Sequence, residues 1–85
     1  MLIDEDTVVR STTLRAMGQR RVAGWVRIMS RSLLDDDYVI QRAAMDVLLT
    51  DRQEGVKALS EYVAKNPQAR ISALARAELD RLGIR

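Results

Sequence analysis

Asp37-Tyr38-Val39-Ile40-Gln41-Arg42-Ala43-Ala44-Met45-Asp46-Val47-Leu48, followed after a short break by Glu54-Gly55-Val56-Lys57-Ala58-Leu59, is the stretch that decides the fold. In the first segment Ile40, Ala44, Val47 and Leu48 recur at three- and four-residue steps, which places them on one face of a helix. In the second, Val56, Leu59, Tyr62 and Val63 do the same. Asp37 stands at the start of the first segment, where a carboxylate accepts from unpaired N–H groups and sits at the positive end of the helix dipole. Two amphipathic helices of similar length joined by a few residues pack as antiparallel neighbours.

The periodicity continues in both directions. Val9, Thr13, Ala16 and Met17 mark an apolar face on a first helix, Val22, Trp25, Met29 and Leu33 on a second, and Ile71, Leu74, Ala75, Leu79 and Leu82 on a fifth. Helices are therefore expected at about 6–17, 20–33, 37–49, 53–65 and 68–82. Breakers are scarce, with one Pro and four Gly. The acids Asp4, Glu5 and Asp6 suit the start of the first helix, as Asp35, Asp36 and Asp37 suit that of the third. Asn66-Pro67 is expected to cap the fifth, and Gly83 to end it.

The chain also repeats itself. A shift of 31 residues aligns Asp6 with Asp37 and Gln68, Val9 with Ile40 and Ile71, Thr13 with Ala44 and Ala75, and Met17 with Leu48 and Leu79. The same shift pairs Gly24 with Gly55, Trp25 with Val56 and Ile28 with Leu59. The units run over about 6–36 and 37–67, with a terminal half-unit at 68–85, all within one domain spanning 1–85. A two-helix unit cannot bury its apolar face alone, so neighbouring units must stack and share a core. Such arrays need about three units for stability. This one lies near that minimum, so one end face is expected to stay partly apolar and to invite a homodimer or a larger partner.

The residues from Asp37 to Leu59 resemble the short bacterial HEAT-like repeat, the type also found in phycobilisome lyase relatives. In that family an Asp opens the first helix, a Val-Arg pair follows three residues later, and a second helix carries an apolar stripe. Asp6, Val9 and Arg10 keep the opening; the second unit has Ile40 and Gln41, and the third has Gln68, Ile71 and Ser72, so the polar half of the signature fades. The resemblance spans about residues 4–83. It implies an all-α stack of five antiparallel helices, a short helical-repeat solenoid (α-α superhelix), with odd helices in one layer and even helices lining the concave side.

Composition excludes much chemistry. With no Cys and no His among 85 residues, the chain lacks a thiol nucleophile, an imidazole base, a disulfide framework and the usual zinc ligands. No enzymatic activity and no cofactor are expected. Ser11, Thr12 and Thr13 have no accompanying base. Asp35, Asp36 and Asp37 lack the alternating spacing and distant Glu of an EF-hand, so capping accounts for them better than a metal. No stretch approaches the ~18 apolar residues of a membrane span, and the acidic start is unlike a signal peptide, so a cytoplasmic protein without membrane contact is expected.

Charge is the remaining signal. The net charge is +2, yet residues 1–34 carry six Arg against three acids. On a helical wheel Arg20, Arg27 and Arg31 fall on one stripe with Gly24 beside them, opposite Val22, Trp25, Val26, Met29 and Leu33. The resemblance places this stripe in the groove, where guanidinium groups meet carboxylates or phosphates. The expected function is a protein-interaction or scaffold module that binds an acidic protein segment through Arg20, Gly24, Arg27, Arg31, Lys57 and Glu61, or that self-associates. Nucleic acid is the alternative partner, disfavoured because no aromatic interleaves the Arg residues and three Asp close the same helix. A solvated helix face is the plain alternative to both. Trp25 is expected in the core between helices one, two and four, with Met17, Met29 and Met45 filling gaps.

Overall fold

A helix starts where its first N–H groups find acceptors, and at Asp37 they do. Its Oδ1 accepts from the Val39 amide at 2.9 Å, while Oδ2 accepts from the Thr7 hydroxyl at 2.6 Å. Asp35 supports this cap in turn, accepting from the Asp37 amide at 2.8 Å and pairing with Arg10 at 2.5 Å. The aspartates of the loop thus order the chain locally and bind it to the first helix. The computed structural model describes residues 5–84. It contains α1 (Glu5–Arg20), α2 (Trp25–Ser32), α3 (Tyr38–Leu48), α4 (Glu54–Lys65) and α5 (Arg70–Arg81), with no strand among the described residues.

The elements form for the reasons read from the periodicity, and their packing shows which faces matter. α3 touches every other helix, α1 packs chiefly on α3, α2 packs on α3 and α4, and α5 packs on α3 and α4. The central helix accordingly buries the widest arc: Ile40, Ala43, Ala44, Met45, Val47 and Leu48. Around them lie Trp25, Met29 and Leu33 from the second segment, Val56, Leu59 and Val63 from the fourth, and Ile71, Ala75 and Leu79 from the fifth. Trp25 is buried at 8% exposure, as its wheel position requires, with the Arg21 guanidinium 4.3 Å above its ring.

Three expectations need correction. The first concerns where α1 ends and α2 begins: α1 continues to Arg20, and α2 starts only at Trp25. Arg21 takes φ +50, and the Arg21 and Val22 amides bond back to the carbonyls of Gly18 and Met17, a Schellman closure made without glycine. Arg21 holds this left-handed position by donating to the Gly18 carbonyl at 2.9 Å and to the Thr50 hydroxyl at 3.1 Å. Gly24, at φ +75, then turns the chain into α2.

The second correction concerns the buried face of α1. Thr7, Leu14 and Gly18 are buried and Ser11 is half-buried, whereas Val9 is 62% exposed and Thr13 and Ala16 are also exposed. At the aligned positions Ile40, Ala44 and Leu48, and Ile71, Ala75 and Leu79, are all buried. The physical reason is position in the stack: α3 has a neighbour on each side, while α1 touches only α3 and, lightly, α2. Gly18 faces α3 because a Cβ there would lie 2.3 Å from Val47 Cγ1.

The third correction concerns Asn66. It closes α4, with its amide donating to the Tyr62 carbonyl at 3.0 Å, and its own carbonyl accepts from the Ser72 hydroxyl at 2.7 Å. α5 starts after Ala69 with no side-chain cap. Gly83 does end α5 as expected, with φ +76 and the Gly83 and Ile84 amides bonded to Asp80 and Leu79. Of the acids expected to cap α1, Asp4 lies outside the described residues.

The Asp37 cap has a pH signature. The Thr7 hydroxyl, the Val39 amide and the nearby Arg10 charge hold its carboxyl below its ordinary value, against a smaller opposing effect of desolvation. A carboxyl whose pKa is lower in the folded state contributes stability above its unfolded pKa and loses it as pH falls through the folded one. Thr7→Val is therefore expected to lower the urea midpoint at pH 7, with the difference from wild type shrinking below about pH 4. A difference of constant size from pH 7 to pH 2 would contradict this role.

Candidate functional site

The residues singled out by the charge pattern do not form one stripe. Arg20 lies in the last turn of α1, separated from α2 by the turn at residues 21–24, and Gly24 shapes that turn. The expected continuous row from Arg20 through Arg31 is thus interrupted, because the helix that would carry it starts at Trp25. Arg27 and Arg31 do share the exposed side of α2, opposite buried Trp25 and Met29. Neither makes an ion pair among the described residues.

Beside them a groove runs between α2 and α4. One stretch of about 200 Å³ is lined by Ser30 and Leu34 on one wall and by Ala58, Glu61, Tyr62, Lys65 and Asn66 on the other. An adjoining, more open stretch of about 310 Å³ is lined by Val26, Glu54, Lys57, Ala58 and Glu61. Ala58 and Glu61 belong to both, so the two form one path along α4. The spacing explains the lining: Val26, Ser30 and Leu34 follow one another at four-residue steps along the edge of the buried stripe of α2. Glu54, Ala58, Glu61 and Lys65 hold the matching edge of α4.

The groove is apolar along its floor and charged along its rim. Val26, Ala58 and Tyr62 are half-buried and Leu34 is 66% exposed. Lys57 and Lys65 stand with Glu54 and Glu61 on α4, and Arg27 and Arg31 stand on the outer side of α2. The groove lining thus carries two lysines and two glutamates, with the two arginines standing outside it. Burial pushes the Tyr62 phenol above its ordinary pKa, so it stays neutral and available as an O–H donor at physiological pH.

Of the residues expected to bind a partner, Lys57 and Glu61 line this groove, Arg27 and Arg31 stand on the outer side of α2 outside its lining, and Arg20 and Gly24 do not belong to it. Ser30, Leu34, Glu54, Tyr62 and Lys65 escaped the sequence reading as site residues. Tyr62 reads as part of the apolar stripe of α4 and the others lie beside such a stripe, so a role at a shared surface appears only when the neighbouring helix is known.

A second groove, about 270 Å³, lies between α1 and the start of α3, with Val9, Thr13, Leu14 and Ile40 at its apolar surface and the Arg10–Asp35 pair at its rim. Among the described residues no group of three or more acidic side chains is placed to hold a metal ion. Asp35 and Asp37 instead have their oxygens occupied by Arg10, Thr7 and backbone amides. No described helix is long and apolar enough to cross a membrane. In comparisons with known proteins, no family model, no curated protein and no solved structure matches the chain.

Proposed function

We propose that this chain is a non-enzymatic, cytoplasmic protein-interaction module, a short HEAT-like solenoid that holds an acidic, partly apolar protein segment along α2 and α4. The observation that carries this reading is the α2–α4 groove itself, its apolar floor lined by Val26, Ala58 and Tyr62 with Lys57 and Lys65 among its charged walls, and the exposed Arg27 and Arg31 on the outer side of α2. An acidic segment with aliphatic side chains at helical spacing satisfies both features, its apolar edge on Val26, Ala58 and Tyr62 and its carboxylates on the two guanidinium groups. Glu61, at the middle of the groove, sets register by repelling a carboxylate placed opposite it. The contacts of α1 with α3, α3 with α5 and α2 with α4 are those that two stacked helix layers make, which supports the repeat architecture.

The test is a fluorescence-anisotropy titration with a labelled peptide repeating Glu-Glu-Leu, run beside a labelled DNA duplex. Saturable peptide binding is expected, weakened tenfold or more by combined Arg27→Glu and Arg31→Glu substitutions, which change exposed residues and leave the helical circular dichroism intact. Peptide binding unchanged by that double reversal would overturn the reading. Duplex binding that falls steeply with salt, without peptide binding, would establish a nucleic-acid partner instead. The carboxylates of Glu54 and Glu61 weigh against that outcome.

A further inference from the structure

We propose that the outer side of α1 is a self-association surface, on which a second copy of the chain packs its own α1 in antiparallel orientation about a two-fold axis near Thr13. This adds a second surface to the interaction module and does not depend on the α2–α4 groove. α1 is the edge helix of the fold, in contact with α3 and lightly with α2 but with neither α4 nor α5. Along its exposed side stand Asp6, Val9, Thr13, Ala16 and Arg20, every one exposed, with Val9 and Thr13 also at the lip of the shallow groove toward α3. Their spacing alternates three and four residues, the period of a coiled-coil seam, so the row stays straight against a partner helix for four turns.

The seam is self-complementary in only one orientation. Its middle carries no charge, and it begins with the Asp6 carboxylate, which also has Arg10 of its own helix 3.9 Å away, and ends with the Arg20 guanidinium. A parallel copy would set Asp6 on Asp6 and Arg20 on Arg20, whereas an antiparallel copy sets Asp6 on Arg20 at both ends by symmetry. Within that arrangement Val9 of one copy lies over the Ala16 region of the other, a large side chain against a small one. Further exposed apolar side chains lie near the N-terminal end of the seam without belonging to it. Val8 and Val39 sit, with Val9, at the N-terminal ends of α1 and α3, which the Thr7–Asp37 hydrogen bond holds together.

The opposite end of the fold argues for a closed dimer over a filament. The exposed residues of α5 include Ala73, Arg76, Ala77 and Asp80, a charged face that does not match the neutral middle of α1. Head-to-tail growth would bury Arg76 and Asp80 against Val9 and Thr13, and buried charges without partners are costly. A contact of one helix on one helix is smaller than a standard interface, so a dissociation constant in the micromolar range is expected.

The experiment exploits the absence of cysteine from the sequence. Sedimentation equilibrium from 1 µM to 1 mM should show wild type passing from monomer to dimer, and Thr13→Glu, a change at an exposed position, should raise the dissociation constant tenfold or more. Thr13→Cys should form disulfide-linked dimers rapidly under copper-phenanthroline oxidation. Asp6→Cys alone should not, while an equimolar mixture of Asp6→Cys and Arg20→Cys should give the mixed dimer. Wild type that stays monomeric at 1 mM would overturn the proposal. So would rapid linking of Asp6→Cys alone, or Thr13→Cys linking no faster than a cysteine at exposed Ala77. Peptide binding at the α2–α4 groove should be unchanged by Thr13→Glu, so failure of either surface is read separately.

Discussion

Gly55→Ala is expected to destabilise the protein by about 2–3 kcal/mol, and Gly24→Ala by only about 1 kcal/mol, although the internal repeat aligns the two positions. A Cβ on Gly55 would lie 2.2 Å from the Leu48 carbonyl oxygen and 3.2 Å from Asp51 Cβ. The obstacle is backbone, held where the end of α3 meets the start of α4, and it cannot rotate away as a side chain could. The Asp51 carbonyl accepts from the Val56 amide at 2.9 Å and the Asp51 carboxylate accepts from the Gln53 amide at 2.8 Å, so this connection is also fixed by its own hydrogen bonds. Relief would require α4 to move off α3, which would loosen Val56 and Leu59 in the core. The gain in helix propensity from Gly to Ala, ~1 kcal/mol at most, offsets part of that cost.

At Gly24 nothing lies within 4 Å of a built Cβ, and the only cost is the left-handed backbone at φ +75. The whole fold has a stability on the order of 4–13 kcal/mol for a chain of this size. A loss of 2–3 kcal/mol is therefore plain in the urea midpoint, and chemical denaturation of both variants at equal chain concentration checks the contrast. Equal costs at the two glycines would mean that the close approach at Leu48 is not a fixed feature of the fold.

These two glycines also show how far the sequence carries. The 31-residue spacing aligns the two glycines, yet Gly24 precedes the first residue of α2 and Gly55 is the second residue of α4, and one is there for φ and the other for space. Spacing alone does not tell them apart. Helices three to five were legible nearly to their ends because their buried faces are written in Ile, Ala, Leu and Val. The start of α2 was not, since Arg21 supplies the left-handed turn that glycine normally marks, and it does so with tertiary bonds to Thr50 that no local pattern reveals. The buried face of α1 was hidden for a different reason. Thr7, Ser11 and Gly18 do not look like core residues, and Thr7 is buried because Asp37, thirty residues away, accepts its hydrogen bond.

The candidate site was legible in part for the same reason. Lys57 and Glu61 are legible as exposed residues because α4 is a regular helix with a clear stripe, and Arg27 and Arg31 because they oppose Trp25 and Met29. Arg20 falls on the wheel of α2 only if the helix runs unbroken through residues 21–24, where the chain turns instead. Grooves belong to pairs of helices, and residues such as Ser30 and Tyr62 acquire a shared surface only after the pair is assembled.

The misplacement of the α1 face makes the second large prediction. Val9, Ile40 and Ile71 occupy the same repeat position, and equal burial would make their truncation to Ala similarly damaging. The structure predicts the reverse of equality. Ile40 is 2% exposed and Ile71 is fully buried, so each change to Ala should cost about 3–4 kcal/mol through lost burial and the cavity left behind. Either loss consumes much of the fold's total stability. Val9→Ala should lie between zero and a stabilisation of about 0.5 kcal/mol in the isolated chain, because an exposed β-branched residue in a helix is replaced by the best helix former. Urea denaturation at about 0.1 µM chain, well below the micromolar dissociation constant expected for the α1 pairing, isolates this comparison. Repeating it at several hundred micromolar then brings the interface into play. If α1 packs on α1, the Val9→Ala variant should become less stable than wild type as concentration rises, since only wild type gains the full linkage to dimerisation. A large loss for Val9→Ala at low concentration would instead mean that the repeat register extends intact through the first helix and that α1 turns Val9 inward.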